Sequence, residues 1–403
     1  MEQDQLTESG ETGVDVVIAG GGIMGCSAAF WLSRLSDRRL RICVVEQDPS
    51  HKQSSTALSV ASIRQQFSKS INVKISRFGI EFIRNIQNQI GKLPGGNDLA
   101  LRENGYLLLA GTNAGAQRLR QAHAMQQSLG AQTMLLEQNA LKDRFPWLQV
   151  QDIALASFGQ KDEGWFDNMG LLQMFRQAAR QNGVAFLHDE IIGVRGSKGQ
   201  VHDVKLAQNG ALSVGTLINA TGTNARTMLQ YLGEEIPVEP RKRTVFQIDA
   251  PNAHFPDAPL MVCHTGFYLR PEGRHWLCAT VPEDDCAADP HDFEPALHEF
   301  EDRIWPRLYA RAPAFDAVKV LSAWAGHYAY NTLDQNAIVG RHPNWQNLYL
   351  MNGFSGHGLQ QAPAVGRGIA ELILFNRFVT LDLADLSVDR ILEGRAFKEG
   401  HII

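Results

Sequence analysis

The sequence predicts an α/β fold in which a discontinuous domain of strands and helices carries an inserted α+β domain on a large mixed sheet. Two glycine-rich turns, each between a short apolar run and a helical pattern, lie near opposite ends of the 403-residue chain. A third apolar run, residues 216–219, ends in small residues, and strand patterns dominate the long segment after it. Alternating strand and helix patterns favour a parallel sheet, so the first domain is predicted to be assembled from distant segments.

The first glycine turn follows a buried-strand pattern and begins a helical one. Gly20, Gly22 and Gly25 fit G-x-G-x-x-G, in which the glycines make the turn, admit a pyrophosphate and let helix pack on strand. The next apolar run, residues 40–46, ends in Glu46, whose carboxylate is placed to accept hydrogen bonds from ribose hydroxyls. This order predicts a Rossmann-like dinucleotide site, and a glycine turn without a ligand is the alternative.

The second glycine loop follows another short strand pattern. In it Gly353, Gly356 and Gly358 let the backbone approach a flat ligand closely. A helix is predicted over residues 363–375, with Pro363 in its first turn. The positive end of that helix favours a negatively charged ligand, whereas a solvent-exposed loop of no function is the alternative.

The other elements follow from apolar spacing and turn residues. Asn104-Gly105 between apolar runs predicts a hairpin over residues 99–110. A strand ending in Ala220, Thr221 and Gly222 would lie beside the first strand, because small residues leave room for a dinucleotide. Helices are expected near 26–35, 72–89, 112–129, 137–144, 170–182 and 291–311, and short strands over 184–219 and 236–325.

These patterns divide the chain into two domains and a flexible tail. The nucleotide-binding domain is assigned residues 13–75, 150–225 and 325–385. The inserted substrate domain is assigned residues 76–149 and 226–324, and the polar segment 1–12 is the tail.

Composition excludes several classes of function. The net charge is −5 and no long basic run occurs, so the chain lacks the electrostatic footprint of a nucleic-acid-binding protein. No apolar run is long enough to span a bilayer. The five cysteines have neither C-x-x-C nor zinc spacing, which predicts reduced thiols, a cytoplasmic location and no metal site.

The two glycine segments together resemble the FAD-dependent amine and amino-acid oxidoreductases, the D-amino-acid oxidase family. Residues 353–358, Gly-Phe-Ser-Gly-His-Gly, resemble that family's second glycine loop, and residues 330–340 resemble the segment before it. Residues 54–56 with Arg64 resemble the loop under the flavin. The resemblance is strongest to sarcosine oxidase, to the β-subunit of multimeric sarcosine oxidase and to FAD-dependent oxidoreductase-domain proteins.

The resemblance implies FAD as the cofactor, held without a covalent bond. His327 stands where monomeric sarcosine oxidase has the cysteine that bonds to the flavin. Tyr268 replaces a lysine that assists oxygen, and Gln360 replaces a lysine that helps to bind the substrate carboxylate. The residues assigned to FAD by position are Gly20, Gly22, Ile23, Met24, Gly25, Glu46, Ser54, Ser55, Thr56, Ile192, Ala220, Thr221, Gly222, His327, Gly353, Phe354, Ser355, Gly356, His357, Gly358, Leu359 and Gln360.

Four residues are candidates for the catalytic site. Arg64 is expected to grip a substrate carboxylate, with a surface or FAD-phosphate arginine as the alternative. Tyr268 and Arg270 share one face of a strand and would roof the substrate, unless they form a structural pair. His357 lies between glycines beside the expected flavin, where it is either catalytic or structural.

The predicted function is FAD-dependent oxidation of the C–N bond of a small amino acid or N-alkyl amino acid to an imine. The electron acceptor would be O₂ or a redox partner. The sequence leaves the oligomeric state open, with a homo-oligomer and a hetero-oligomer among the alternatives. One alternative is a non-catalytic flavoprotein subunit or assembly factor. Another is an NAD-dependent dehydrogenase, which the second glycine loop disfavours.

Overall fold

The computed structural model describes residues 13–93, 96 and 98–400, so the predicted tail at 1–12 lies outside the described residues. Two eight-stranded sheets and one two-stranded sheet form the described part of the chain. Helices pack on both large sheets, which confirms the predicted α/β class with a large mixed sheet. Within the described ranges, no helix is long and apolar enough to cross a membrane.

The strands are, in chain order, β1 (Gly13–Ala19), β2 (Ile42–Glu46), β3 (Ser62–Ile63), β4 (Tyr106–Ala110), β5 (Thr133–Leu136), β6 (Leu155–Gly159), β7 (Gly164–Trp165), β8 (Ala185–His188), β9 (Ile191–Ser197), β10 (Gln200–Leu206), β11 (Ala211–Asn219), β12 (Val238–Asp249), β13 (Leu260–Val262), β14 (Phe267–Glu272), β15 (His275–Thr280), β16 (Lys319–Asn331), β17 (Ile338–Arg341) and β18 (Leu348–Asn352). The α-helices are α1 (Ile23–Leu35), α2 (Ser70–Arg84), α3 (Ile86–Ile90), α4 (Asn113–Ser128), α5 (Gln138–Arg144), α6 (Asn168–Gln181), α7 (Ala225–Gln230), α8 (Trp305–Arg311), α9 (Gly358–Phe375) and α10 (Asp389–Leu392).

The first sheet brings the two predicted glycine loops to the same edge. Its order is β17-β18-β11-β1-β2-β8, with β10 and β9 continuing from β11. Strands β18, β11, β1, β2 and β8 are parallel, so their carboxyl ends share one edge. Strands β1, β2 and β18 are buried along most of their length, which explains their continuous apolar runs.

The second sheet has the order β16-β12-β15-β14-β13-β4-β6-β5. Its pairs are antiparallel except for β13 and β4. One face packs an apolar core that includes Phe246, Trp276 and Phe315. The other face carries Tyr106 and Tyr268 in a separate cluster. Side-chain alternation along the strands therefore gives this sheet one face of core and one face with phenol groups.

The hairpin predicted at Asn104-Gly105 is wrong. Arg102 forms a bridge with Trp165 instead, and its backbone N–H donates to Trp165 O over 2.8 Å. Gly105 has a φ of +93° and its N–H donates to Glu163 O over 3.0 Å. Long-range pairing with β7 thus takes the backbone groups that a local hairpin would have used.

Two predicted helix boundaries are also wrong. Helix α9 begins at Gly358, and Pro363 lies inside it rather than in its first turn. The insert predicted over 291–311 is shorter, with one π-helical turn over Phe300–Ile304 leading into α8. The sequence offers Asp167 or Asn168 as the N-cap of α6, and the structure selects Asp167, whose Oδ1 accepts from Gly170 N over 2.8 Å.

Helices α1 and α9, which begin at the two glycine loops, pack directly on each other. Ser27 Oγ donates to Ala362 O over 2.7 Å, and Trp31 Nε1 donates to Pro363 O over 2.9 Å. A Cβ atom on Gly366 would collide with Ser27, so the approach of the two helices depends on this glycine. The N-terminal ends of both helices are consequently held close together.

Residues 397–400, here named the strap, fasten the start of α2. Glu399 is buried, and its carboxylate accepts from Ser68 N over 2.7 Å, Lys69 N over 3.2 Å and Asn72 Nδ2 over 2.9 Å. Lys69, the N-cap residue of α2, makes no side-chain capping bond. The strap therefore supplies the anion that this helix end lacks in its own sequence.

We expect Glu399→Ala to destabilise the fold by about 1–3 kcal/mol, because it leaves buried donors without their acceptor. Urea unfolding of the two proteins measures the difference. Glu393→Ala is the matched control, since Glu393 and its partner Arg395 are 56% and 66% exposed. Its effect should stay within about 0.5 kcal/mol. Equal effects of both substitutions would show that the strap does not stabilise α2.

Candidate functional site

The glycines of the first loop are required for two different structural reasons. Gly20 has a φ of +96°, and a Cβ atom there would lie 2.6 Å from Ala220 O. A Cβ atom on Gly25 would collide with Gly20 O. On Gly22, by contrast, the nearest atom to a Cβ would be Thr56 Oγ1 at 3.8 Å. Packing within the protein explains Gly20 and Gly25, whereas Gly22 borders open space.

The N-terminus of α1 is open to an anion. Gly22 is the N-cap residue and offers no side chain to the first turn. Ile23 N donates to Thr56 Oγ1 over 3.3 Å, so the serine-rich loop lies beside this turn. The next residue, Met24, reaches the start of α9, because its Cε atom lies only 3.2 Å from where a Cβ atom on Gly358 would be. Two helix N-termini with their partial positive charge thus face the same region.

Glu46 is oriented by two backbone amides. Its Oε2 accepts from Gly21 N over 2.7 Å, and its Oε1 accepts from Asp48 N over 2.8 Å. Each carboxylate oxygen can accept a further bond, so these contacts leave room for ribose hydroxyls. The pairing of β2 with β1 places this acid beside the loop, as the spacing predicted.

Asn219 joins the ends of two neighbouring strands. Its Oδ1 accepts from Thr221 N over 3.2 Å, from Thr221 Oγ1 over 2.8 Å and from Asn352 Nδ2 over 3.3 Å. Gly222 follows with a φ of +59° and open space around its Cβ position. Sequence reasoning missed both asparagines, because an amide at a strand end carries no signal before its neighbours are known.

His327 presents a buried polar group beside the serine-rich loop. Its backbone carbonyl accepts from Ser55 Oγ over 2.7 Å, while Ser54 Oγ donates to His51 O over 2.8 Å. The His327 ring stands edge-on to Phe293 at 4.8 Å, and burial lowers its pKa. Neither ring nitrogen makes a hydrogen bond of good geometry within the described residues, and the backbone of Asp289 is the protein group that approaches the ring. A neutral imidazole in this state can take a further polar partner.

The second glycine loop is fixed to β16. Ser355 N donates to Ala329 O over 3.0 Å, and Asn331 N donates to Ser355 Oγ over 3.0 Å. Phe354 forms a bridge with Tyr330. A Cβ atom on Gly356 would lie 2.7 Å from the Tyr328 ring. The loop therefore lies directly on the second sheet, where Tyr328 covers its backbone.

Arg64, His357 and Gln360 meet in one buried cluster. Arg64 Nη2 lies 3.1 Å from His357 Nε2, and Arg64 Nη1 donates to Gln66 O over 2.6 Å. Gln360 Oε1 accepts from Arg64 N over 2.9 Å and from Ser76 Oγ over 2.8 Å. The structure thus brings three predicted site residues together. Gln360 fixes the backbone of Arg64, a role that its position in the sequence did not reveal.

His357 is a neutral acceptor. Burial, followed by the nearby Arg64 cation, lowers the pKa of His357 to about 3. Its Nε2 therefore accepts a hydrogen bond from Arg64 and stays unprotonated at neutral pH. A group with so low a pKa is a poor proton carrier near pH 7, and the catalytic role of His357 stays a prediction.

Two buried tyrosines, Tyr106 and Tyr268, and the half-buried Tyr328 line the facing side of the second sheet. Burial raises the pKa of Tyr106 to about 12, and the pKa values of Tyr268 and Tyr328 are also raised. Arg64 Cζ lies 5.6 Å from the centre of the Tyr106 ring and 4.3 Å from that of Phe67. Only Tyr268 was predicted, because the other tyrosines reach the site through sheet pairing that the sequence does not reveal.

Arg270 favours the structural interpretation. Its Nε donates to Val60 O over 3.1 Å, its Nη1 donates to Pro271 O over 2.9 Å, and Glu272 pairs with its charge. Its guanidinium also lies 5.1 Å from the Trp165 ring centre. These contacts favour the structural pair over the roof, and the role of Arg270 toward a substrate stays a prediction.

The remaining assigned residues lie at the edges of this region. Ile192 lies on β9 and is 38% exposed. Leu359 is buried in the first turn of α9. Their contacts with a cofactor stay predictions.

Comparison with known proteins identifies the class of molecule that shares this arrangement. The family model described as FAD dependent oxidoreductase matches residues 15–372. FAD-dependent oxidoreductase domain-containing protein 1 of Xenopus laevis is 37% identical over 423 residues, covering 96% of this chain and 85% of that protein. Monomeric sarcosine oxidase of Bacillus sp. (strain NS-129) is 23% identical, covering 90% of this chain and 93% of that protein.

A solved structure shares the fold. The crystal structure of L-proline dehydrogenase from P. horikoshii superposes with a TM-score of 0.83 at 24% identity, covering 95% of this chain and 99% of that one. The cofactor of the matched family is FAD. The residues present fit it, because the space beside Gly22 and Gly222 and the two helix ends without side-chain caps suit an anionic, polar group.

We expect Gly22→Ala to lower FAD affinity by about tenfold or more without destabilising the apoprotein, because its Cβ would point only into the cofactor space. The φ of −66° at Gly22 tolerates alanine. Titration with FAD and thermal unfolding of the apoprotein measure the two effects.

Gly25→Ala is the matched control for this prediction. It should destabilise the apoprotein as well, since its Cβ collides with Gly20 O. Unchanged FAD affinity in Gly22→Ala would mean that the pyrophosphate does not approach this loop.

Proposed function

This chain belongs to the FAD-dependent oxidoreductase family, and we propose that it oxidises the C–N bond of a small amino acid or N-alkyl amino acid to an imine. The observation that carries the proposal is the buried Arg64 beside the second glycine loop. A guanidinium grips a carboxylate bidentately, and its charge acts strongly in a buried site. The names of two similar proteins, sarcosine oxidase and L-proline dehydrogenase, support this substrate class.

The cluster around Arg64 supports orientation of an amino acid. Gln66 O and His357 Nε2 are neutral partners that fix the direction of the guanidinium. The phenols of Tyr106 and Tyr268 stay neutral and face the same region. A substrate carboxylate held at Arg64 would place the adjacent carbon and its amine toward the glycine loop.

The side chains of the site need to transfer few protons in the proposed reaction. FAD, when bound, supplies the two-electron acceptor for the reaction. The chain binds the amino acid, excludes water and orients the carbon that loses its hydrogen. Because His357 Nε2 accepts from Arg64, we propose that the amine enters already neutral and that no histidine removes its proton.

FAD is proposed to be held without a covalent bond, because His327 occupies the position of the flavin-linked cysteine of monomeric sarcosine oxidase. Acid precipitation of the holoprotein should therefore release all of the flavin into the supernatant, which its absorbance measures. A His327→Ala variant provides the comparison. Flavin that precipitates with the wild-type chain, but not with the variant, would identify His327 as a covalent attachment point.

The function is tested by anaerobic bleaching of the flavin with a panel of N-methyl, cyclic and D-amino acids and their uncharged amides. Arg64→Ala should raise the concentration of amino acid needed for half-bleaching at least about tenfold, because a desolvated partner of the carboxylate is lost. The amides should respond equally to both proteins, since they never used the arginine. FAD content must stay unchanged in the variant.

The exposed Arg341, on β17, provides the control, and Arg341→Ala should behave as wild type. Equal losses for acids and amides in Arg64→Ala would make Arg64 a structural residue. An absence of bleaching with every compound would instead favour the accessory flavoprotein that the sequence left open. Location in the cytoplasm and the oligomeric state stay predictions.

A further inference from the structure

Glu163, between β6 and β7, is a fully buried carboxyl group that has no role in the proposed reaction. Its Oε1 accepts from Gln65 N over 2.7 Å, and its Oε2 accepts from Gln66 Nε2 over 2.7 Å. A Cβ atom on Gly159 would collide with this carboxyl, so Glu163 lies directly on the backbone of β6. The glycine and the two donors together form a specific place for one carboxyl group.

Gln66 connects Glu163 to Arg64. Its Nε2 donates to Glu163 and, over 2.8 Å, to Tyr106 O, while its carbonyl accepts from Arg64 Nη1. The segment 64–66 is thus held by Gln360 at one residue and by Glu163 at the next two. Movement of Glu163 or a change in its charge is therefore transmitted to the guanidinium through a single glutamine.

The charged and titratable groups that face Glu163 are Arg64, Asp162 and Tyr106. Asp162 is itself paired with Arg84 over 2.7 Å. Burial raises the pKa of Glu163 to about 8, against the opposing effects of its two hydrogen bonds and of Arg64. An ionised Glu163 and a second anion at Arg64 would therefore both be attracted to the same cation, and they would repel each other.

We propose that Glu163 is the positioning residue of Arg64, and that in alkaline solution, where Glu163 is ionised, binding of a substrate carboxylate at Arg64 is accompanied by uptake of one proton at Glu163. The proton comes from solvent and forms one O–H bond on the carboxylate, so no other bond changes. This inference rests on the proposed function, in which Arg64 binds the carboxylate of an amino acid.

The sign of the pH dependence follows from linkage. Below about pH 8 Glu163 already carries its proton, so carboxylate binding should not depend on pH. Above that pH Glu163 is ionised, and binding of the carboxylate at Arg64 requires Glu163 to take up a proton. Affinity should then fall by up to about tenfold per pH unit, until the pKa of Glu163 in the complex is passed.

The experiment uses the holoenzyme with 2-furoate as the carboxylate probe and 2-furamide as its uncharged counterpart. Calorimetry of wild type at about pH 8.5, in two buffers of different ionisation enthalpy, should show uptake of a large fraction of one proton per 2-furoate bound. At about pH 6.5 the uptake should vanish, and 2-furamide should show none at either pH. No uptake at the higher pH overturns the inference without any variant.

Two variants identify the group that takes up the proton. Glu163→Gln should abolish the uptake and make 2-furoate affinity independent of pH, while Asp162→Asn, the neighbouring acid, should keep both. Persistent uptake in Glu163→Gln places the proton elsewhere and overturns the inference alone. A 2-furoate affinity that Arg64→Ala leaves unchanged overturns the proposed function instead, because the probe then does not use the arginine.

Discussion

The packing of α1 on α9 is the contact on which the rest of the site depends. Ser27 and Trp31 bond to the backbone of the other helix, and Gly366 lets the two backbones approach. The two helices begin at glycine loops from opposite ends of the sequence. Their contact therefore sums the partial positive charges of two helix ends at the carboxyl edge of one parallel sheet, which suits an anionic cofactor.

Around that centre, several polar side chains are neutral near pH 7. Burial keeps the His357 imidazole unprotonated, and the three tyrosines, whose pKa values lie above their ordinary value, keep their protons. Arg64 is therefore the principal cation of its cluster, set against phenols and a neutral imidazole. In a medium of low polarity, one such charge orients an anion more firmly than several charges at a solvated surface would.

Local sequence patterns were sufficient to predict a feature where the residue type itself determines the backbone conformation or the capping bond. The glycine turns, Glu46 and the cap of α6 follow from residue types at short spacing. The hairpin at Asn104-Gly105 failed because β7 competes for the same backbone groups, and Arg270 is engaged by Val60 from another segment. Tyr328 and Glu163 were missed for the same reason, since only sheet pairing brings them to residues 64–66 and to Gly356.

The placement of β18 and the strap determines when the site is completed during synthesis. Strands β1 and β11 leave the ribosome long before β18, which pairs with β11, and before the strap that caps α2. The first domain to emerge therefore carries an open strand edge and an uncapped helix while it waits for its last elements. The edge of the sheet on which the second glycine loop lies is therefore complete only when nearly the whole chain has been synthesised.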